Sequence, residues 1–256
     1  MKVTRWLQIR LLRLLNQTLP PFVRDARWLM ALPMRLVFRE HAEVVMNFKI
    51  DAYAMTNDEF RAVYEQIRSC ALAEETDLND ACQTRILADA VGDTVLEVGC
   101  GAGALAKALG RRHTVTACDI VVDDDLVSTT PEISFREANV EDLPFQDREF
   151  DTVVCTHTLE HVRDLQAAIG ELRRVARERL VVVVPMERPY RFTFNLHLHF
   201  FPYPHSLRAV MGARPRSHCL VLGGDLYYLE MIGEDGSDRD LTRARRSRSI
   251  QGASLR

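Results

Sequence analysis

No apolar run in the 256-residue chain reaches the ~18 residues that a helical membrane span requires, so an integral helical membrane protein is not the expectation. No two of the six cysteines (Cys70, Cys82, Cys100, Cys118, Cys155 and Cys219) stand at C-x-x-C spacing. That absence argues against a zinc ribbon or a thioredoxin-type redox pair. Cys118 and Cys155 fall inside apolar runs, where a free thiol acts as a small hydrophobe, and a reducing, cytoplasmic compartment is expected. There is no large excess of one charge: the formal net charge is -3, which gives no global pull toward nucleic acid or acidic lipid. The basic start lacks a clean apolar core and a small-residue cleavage site, so no secretory leader is predicted. No internal repeat is visible, and a content of 47% hydrophobic residues is too high for a disordered chain.

The charge is nonetheless uneven. Lys2, Arg5, Arg10, Arg13, Arg24, Arg27, Arg35, Arg39 and Lys49 face only Asp25, Glu40 and Glu43 in the first fifty residues, and Arg243, Arg245, Arg246 and Arg248 crowd the last stretch. Three regions follow: a basic, amphipathic helical extension over 1–75, an α/β domain over 76–232, and an Arg-rich tail over 233–256 that is predicted to be disordered. A first helix from Val3 to Leu15 places Trp6, Leu7, Leu11, Leu14 and Leu15 near one face, without an acidic residue. Packing on the domain or on a second subunit is the plainer reading. Peripheral membrane contact through residues 1–40, at the inner face of a membrane, is the alternative. Further helices are predicted over Asp58–Ala73 and Asp77–Ala90, with Asp77 as N-cap and Gly92 as terminator.

From there strand and helix patterns alternate. Strands are predicted at Thr94–Val98, Thr114–Cys118, Ile133–Glu137, Phe150–Thr156 and Leu180–Val184, with two more at Cys219–Leu222 and Leu226–Ile232. Ala104–Leu109 and a segment carrying Leu165, Ala168, Ile169, Leu172 and Val175 read as helices. The continuous valines of Leu180–Val184 mark a strand buried on both faces. The pattern predicts an α/β, doubly wound, mostly parallel sheet of seven strands.

The chemistry concentrates after the first strand, in Glu97-Val98-Gly99-Cys100-Gly101-Ala102-Gly103. Glycines between a strand and a helix let the chain turn sharply and bring its backbone against a ligand. Asp119 closes the next strand, where an acid can accept hydrogen bonds from a ribose diol. These two signals leave two nucleotide classes open, because Gly99, Gly101 and Ala104 also fit the dinucleotide fingerprint of oxidoreductases.

The downstream text separates them. VLEVGCGAGALAKAL, ACDI and ANVEDLPFQDREFDTVVCTHTLEHV, taken in order, resemble the class I S-adenosylmethionine-dependent methyltransferases, in their small-molecule branch, over roughly residues 77–185. The resemblance implies a Rossmann-like methyltransferase sheet with S-adenosylmethionine as cofactor. It implies that Glu97 and the backbone of Gly99, Cys100, Gly101 and Gly103 hold the methionine part. Asp119 would bind the ribose and Ile120 would pack on adenine. Asn139, Val140 and Glu141 would lie at the adenine edge, and Thr156 near the methionine end. Asn139 stands where the family often has Asp, which keeps a side-chain oxygen at that place. His157 and His161 are candidates for a general base, with hydrogen bonding to backbone as the plainer role.

The long aromatic and histidine-rich segment from Met186 to Tyr203 is expected to wall an acceptor pocket with an apolar part. His197 and His199 alternate in it, but no nearby Cys or Asp completes a ligand set, so no metal is expected. The expected acceptor is a small molecule or a lipid-linked compound. No target-base motif of the Asn/Asp-Pro-Pro-Tyr type follows the fourth strand, where Cys155-Thr156-His157-Thr158 stands, so a nucleic-acid substrate is not expected. A cofactor-binding regulatory protein without catalysis and an NAD(P)-binding oxidoreductase are the competing readings.

Overall fold

The structure, a computed structural model, describes residues 20–68, 78–192 and 195–233. The predicted helix at Val3–Leu15, the proposed cap Asp77 and the tail beyond residue 233 lie outside the described residues. The chain opens with α1 (Pro21–Arg24), α2 (Arg27–Phe38), α3 (Ala42–Asp51) and α4 (Asn57–Arg68). The α/β part then runs α5 (Asp80–Asp89), β1 (Thr94–Val98), α6 (Ala104–Leu109), β2 (Thr114–Asp119), α7 (Asp124–Thr129), β3 (Ser134–Glu137), β4 (Phe150–Thr156), α8 (Leu165–Val175), β5 (Ala176–Pro185), α9 (Pro204–Met211), β6 (Ser217–Leu222) and β7 (Asp225–Met231).

The seven strands form one sheet of order β3-β2-β1-β4-β5-β7-β6. β1 to β5 pair in parallel, β7 runs antiparallel to β5, and β6 is antiparallel to β7. The doubly wound mostly parallel sheet is therefore as predicted. An all-parallel dinucleotide sheet ends in a sixth parallel strand; here the sheet ends in an antiparallel β6–β7 hairpin. Alternate residues of β1, β4 and β5 feed two cores. Leu96, Val98, Val153, Cys155, Val182 and Val184 face α8 and α9 on one side, and Val95, Val154, Val181 and Val183 face α5 and α6 on the other. This two-sided burial explains why these strands read as continuous apolar runs.

Several boundaries move for local reasons. α5 begins at Asp80 with Asn79 as its N-cap: Asn79 Oδ1 accepts from the Cys82 N–H at 2.9 Å. β5 starts at Ala176, straight after α8, and the polar stretch Ala176–Arg179 pairs with β4 through a register shift at Phe150/Thr152. Asp123 caps α7, a helix the sequence pattern did not announce. Asp151 orders the start of β1. Its carboxylate accepts from the Asp93 and Thr94 N–H groups at 2.9 and 3.0 Å and from Arg177 at 2.6 Å.

The helical extension has its own apolar cluster, in which Met30, Met34, Phe38, Val45, Phe48, Phe60 and Val63 pack together with Phe192 and Leu196 from beyond β5. Thr56 and Glu59 form a reciprocal capping box at the start of α4. Arg163 ties the extension to the domain, donating from Nη1 to the Met55 carbonyl at 2.6 Å and from Nη2 to Asn57 Oδ1, with its guanidinium 4.8 Å from the Phe60 ring centroid.

Candidate cofactor and acceptor site

The carboxyl ends of β1, β2 and β4 open into two adjoining clefts that share Tyr64, Gly99, Asp119, Thr158 and His161. The larger, with about 900 Å³ of empty volume, is lined by Glu97, Gly99, Cys100, Gly101, Asp119, Thr156 and His157. The smaller, about 470 Å³, is lined by Ile120, Asn139, Val140, Glu141 and Arg163, with Phe60 and Tyr64 from α4. Of the predicted cofactor residues, all but Gly103 line one cleft or the other. Gly103 is instead the left-handed N-cap of α6 (φ 74°).

The loop is held before any ligand arrives. The N–H groups of Gly99 and Cys100 donate to the Cys118 carbonyl at 2.8 and 3.1 Å, and the Gly101 N–H donates to Asp119 Oδ2 at 2.9 Å. Gly99 has φ +77°, and a Cβ there would come within 1.8 Å of Thr158 Oγ1. Gly101 has φ +51°, and a Cβ there would meet nothing within 4 Å, so its backbone borders open cleft.

Glu97 is 2% exposed, and its Oε2 has no hydrogen-bond partner. Burial, with the nearby Asp119 charge, pushes its carboxyl well above the ordinary range, although the Ala106 N–H opposes the shift. A buried acceptor without a donor is unfavourable by itself. It fits a cationic ligand group placed in this cleft, such as the amine of a methionine moiety. The donor set therefore suits S-adenosylmethionine: a buried acid at one end, a glycine backbone, and an exposed-edge acid at the end of β2. In the smaller cleft, Asn139 spends its side-chain oxygen on its own turn, accepting from the Glu141 N–H at 3.0 Å. Glu141 Oε1 in turn accepts from the Arg163 and Asp164 N–H groups at 2.6 and 3.1 Å. Both line the cleft, but their carboxylate or amide oxygens also hold the loop that forms it.

The two candidate bases differ. His157 has φ +49°, a left-handed conformation that points to a functional or structural constraint. Its Nε2 lies 3.2 Å from Asp225 Oδ2, and Asp225 also accepts from Asn79 Nδ2 at 2.8 Å. His161 is packed edge-on against Tyr64 and His197, and its Nδ1 lies 3.2 Å from the Leu196 carbonyl. Burial, reinforced by the His197 charge, drives its pKa well below the usual imidazole range despite that carbonyl.

His197 and His199 do not converge: His197 Nδ1 lies 3.0 Å from Glu187 Oε2, whereas His199 Nε2 lies 2.9 Å from the Val162 carbonyl. Sequence reasoning missed Phe60, Tyr64, Thr158 and Arg163 as lining residues. The aromatic spacing of α4 was the only local sign of the first two.

Residues 96–184 match the family described as a methyltransferase domain. Over 117 residues the chain is 36% identical to a 2-phytyl-1,4-naphtoquinone methyltransferase of Trichormus variabilis, covering 41% of this chain and 51% of that protein. It is 38% identical over 100 residues to a ubiquinone biosynthesis O-methyltransferase of Paracidovorax citrulli, covering 36% of this chain and 42% of the other. The chain thus spans about half the length of the curated relatives it matches. Among solved structures, the 1,6-didemethyltoxoflavin-N1-methyltransferase of Burkholderia thailandensis aligns with a TM-score of 0.52 at 17% identity, over 70% of this chain and 87% of that one. An S-adenosylmethionine-dependent methyltransferase of Aquifex aeolicus aligns with a TM-score of 0.50 at 17% identity, over 66% and 98%. Sheet order and loop agree with that match: residues 96–184 are similar to a methyltransferase domain, on a fold shared with S-adenosylmethionine-dependent methyltransferases.

Proposed function

We propose that this protein transfers a methyl group from S-adenosylmethionine to a small-molecule acceptor with an extended apolar part. The observation that carries the reading is the unpartnered, buried Oε2 of Glu97, set in one cleft with the glycine loop and Asp119. When bound, S-adenosylmethionine supplies an electrophilic methyl on a sulfonium sulfur, so the protein's share is orientation and proton handling. Glu97 would accept from the amine of the methionine part, and Asp119 from the ribose hydroxyls. Phe60 and Tyr64 would close the adenine side and exclude water. His157 is the favoured base: it borders the cleft, and Asp225 stabilises the imidazolium formed when it takes a proton from an acceptor hydroxyl. His161 is disfavoured as a base by its lowered pKa.

Calorimetric titration with S-adenosylmethionine, S-adenosylhomocysteine and NADH tests the cofactor. Micromolar binding of the first two, weakened about 10- to 1000-fold in Asp119→Ala, is expected from the loss of charge-assisted hydrogen bonds. Binding of NADH in their place would overturn the reading.

The apolar acceptor has a second support. On α2, Met30, Met34 and Phe38 are buried, while Trp28, Leu32 and Leu36 on the opposite face are 80%, 67% and 70% exposed. Phe22 is 79% exposed beside them. With the basic excess of the first fifty residues, this face suits an anionic membrane surface from which a lipid-linked acceptor is drawn. No helix among the described residues is long and apolar enough to cross a membrane. Because α2 also feeds the core of the extension, the test is a triple Trp28→Ser, Leu32→Ser, Leu36→Ser variant rather than a truncation. Equal co-sedimentation of variant and parent with anionic vesicles would sink the membrane proposal and leave the cofactor reading intact.

A further inference from the structure

We infer that Glu160, His161 and His197 form a site for one divalent first-row transition cation, for which zinc is the probe. Glu160 and His161 stand in the turn after β4, and His197 stands in the segment after β5. One ligating atom of each lies within 4.8 Å of the others. The backbone brings the segments together: the Glu160 carbonyl accepts from the Leu198 and His199 N–H groups at 2.7 and 3.0 Å.

Three features distinguish this cluster from an ordinary polar contact. First, each imidazole has its Nδ1 engaged by an outer acceptor: the Leu196 carbonyl for His161 and the Glu187 carboxylate for His197. Such partners fix the tautomer and direct Nε2 inward as a lone-pair donor, the arrangement that accompanies histidine ligands. Second, Glu160 is 1% exposed, and neither of its carboxylate oxygens has a hydrogen-bond partner. His157 Nδ1 stands 3.7 Å from Oε1. A cation supplies the counter-charge and the bonds that this buried acid lacks. Third, Glu187 is itself prepared as an outer partner. Besides facing His197 Nδ1 at 3.0 Å, its Oε2 accepts from the Tyr190 hydroxyl at 3.0 Å, which fixes the carboxylate in place.

Two imidazoles and one carboxylate favour zinc, iron or manganese over magnesium or calcium, which prefer all-oxygen sets. Three protein ligands leave a further coordination place. His161 also borders both clefts, so the cation would stand in the wall between the cofactor and the aromatic segment. The inference does not rest on the methyl-transfer reading, because metal content is read without turnover.

The test strips the purified full chain with a chelator, then titrates it with zinc sulfate and measures bound metal by mass spectrometry. One zinc per chain is expected, with affinity weakened at least about 100-fold in Glu160→Gln and in His197→Ala. Glu187→Gln, which touches only the outer bond, is expected to lose about 10- to 100-fold. His205→Ala, on the exposed start of α9, is expected to bind as the parent does. Cobalt substitution gives a second readout, a ligand-field absorption band that vanishes in His197→Ala. Circular dichroism and retained S-adenosylhomocysteine binding establish that Glu160→Gln is folded; Glu187→Gln is the fallback where it is not. Zinc well below one equivalent, or equal affinity in the parent and Glu160→Gln, would overturn the site.

Discussion

On the β1–β2 side of the cleft, holding groups come from one short stretch, Glu97 to Asp119, and much of the work is done by backbone N–H groups. On the other side, the wall is assembled from α4, the turn after β4 and the segment after β5, joined by Arg163 to Met55 and Asn57 and by Lys49 to the Tyr190 carbonyl. Lys49 also lies 4.1 Å from the Phe200 ring centroid, and Arg191 N–H donates to Asp25 at 2.9 Å. A local, backbone-built half can be constant while the half assembled at long range is free to change its acceptor. The same sheet can in this way serve many substrates.

The largest expected break in that comparison is Gly99→Ala. Positive φ and a Cβ 1.8 Å from Thr158 Oγ1 give two separate penalties. Together they are expected to cost about 3 kcal/mol in urea denaturation and to abolish cofactor binding. Gly99→Ala with Thr158→Ala should recover the steric share but not the backbone share, which a double-mutant cycle reads directly. Asp151→Asn comes next, at about 2 kcal/mol, because a buried carboxylate with four donors loses its charge. Although burial opposes it, those bonds lower the Asp151 pKa in the folded state. Its contribution is therefore complete above the unfolded value near ~4 and is lost as pH falls through the lower folded value. A parent whose stability did not fall faster than that of Asp151→Asn over this acid range would contradict the assignment.

Glu97→Gln should separate stability from function. Since burial raises the Glu97 pKa, the folded protein takes up a proton there, and this acid costs stability as pH rises through the unfolded value. The amide should raise the melting temperature of the ligand-free chain at neutral pH while weakening S-adenosylmethionine. A lower melting temperature would show that the carboxylate is already satisfied. Arg163→Gln should loosen the long-range half alone, raising the cofactor Kd through the adenine-side cleft that Arg163, Phe60 and Tyr64 line. Arg61→Ala removes an exposed pair to Glu137 and should change stability by less than about 0.5 kcal/mol.

What could be read in advance follows the same division. The valines of β5, the glycines after β1 and Asp119 announce themselves because their cause is local. The burial of each strand on two faces and the φ values of the turn are written in adjacent letters. Asn79 was overlooked as the cap of α5 because its selection involves β6 and β7: it also donates to the Leu222 carbonyl and Asp225. The polar Ala176–Arg179 gave no strand pattern, since its pairing is set by β4. His197 was weighed only against its neighbour His199, whereas its companions Glu160 and His161 arrive from a turn more than thirty residues earlier. Tyr64 and Phe60 belong to an extension whose face toward the cleft only the packing defines.

The place of β7 between β5 and β6 has a consequence for biosynthesis. As the chain leaves the ribosome, everything up to Leu222 can be complete while the outer edge of β5, with Val181 to Val184 in line, still lacks its partner. An unpaired valine edge is a template for intermolecular pairing. A nascent chain stalled in the Gly223–Gly224 turn is thus the species that most needs a chaperone, and the roughly one second of synthesis that adds β7 removes that hazard.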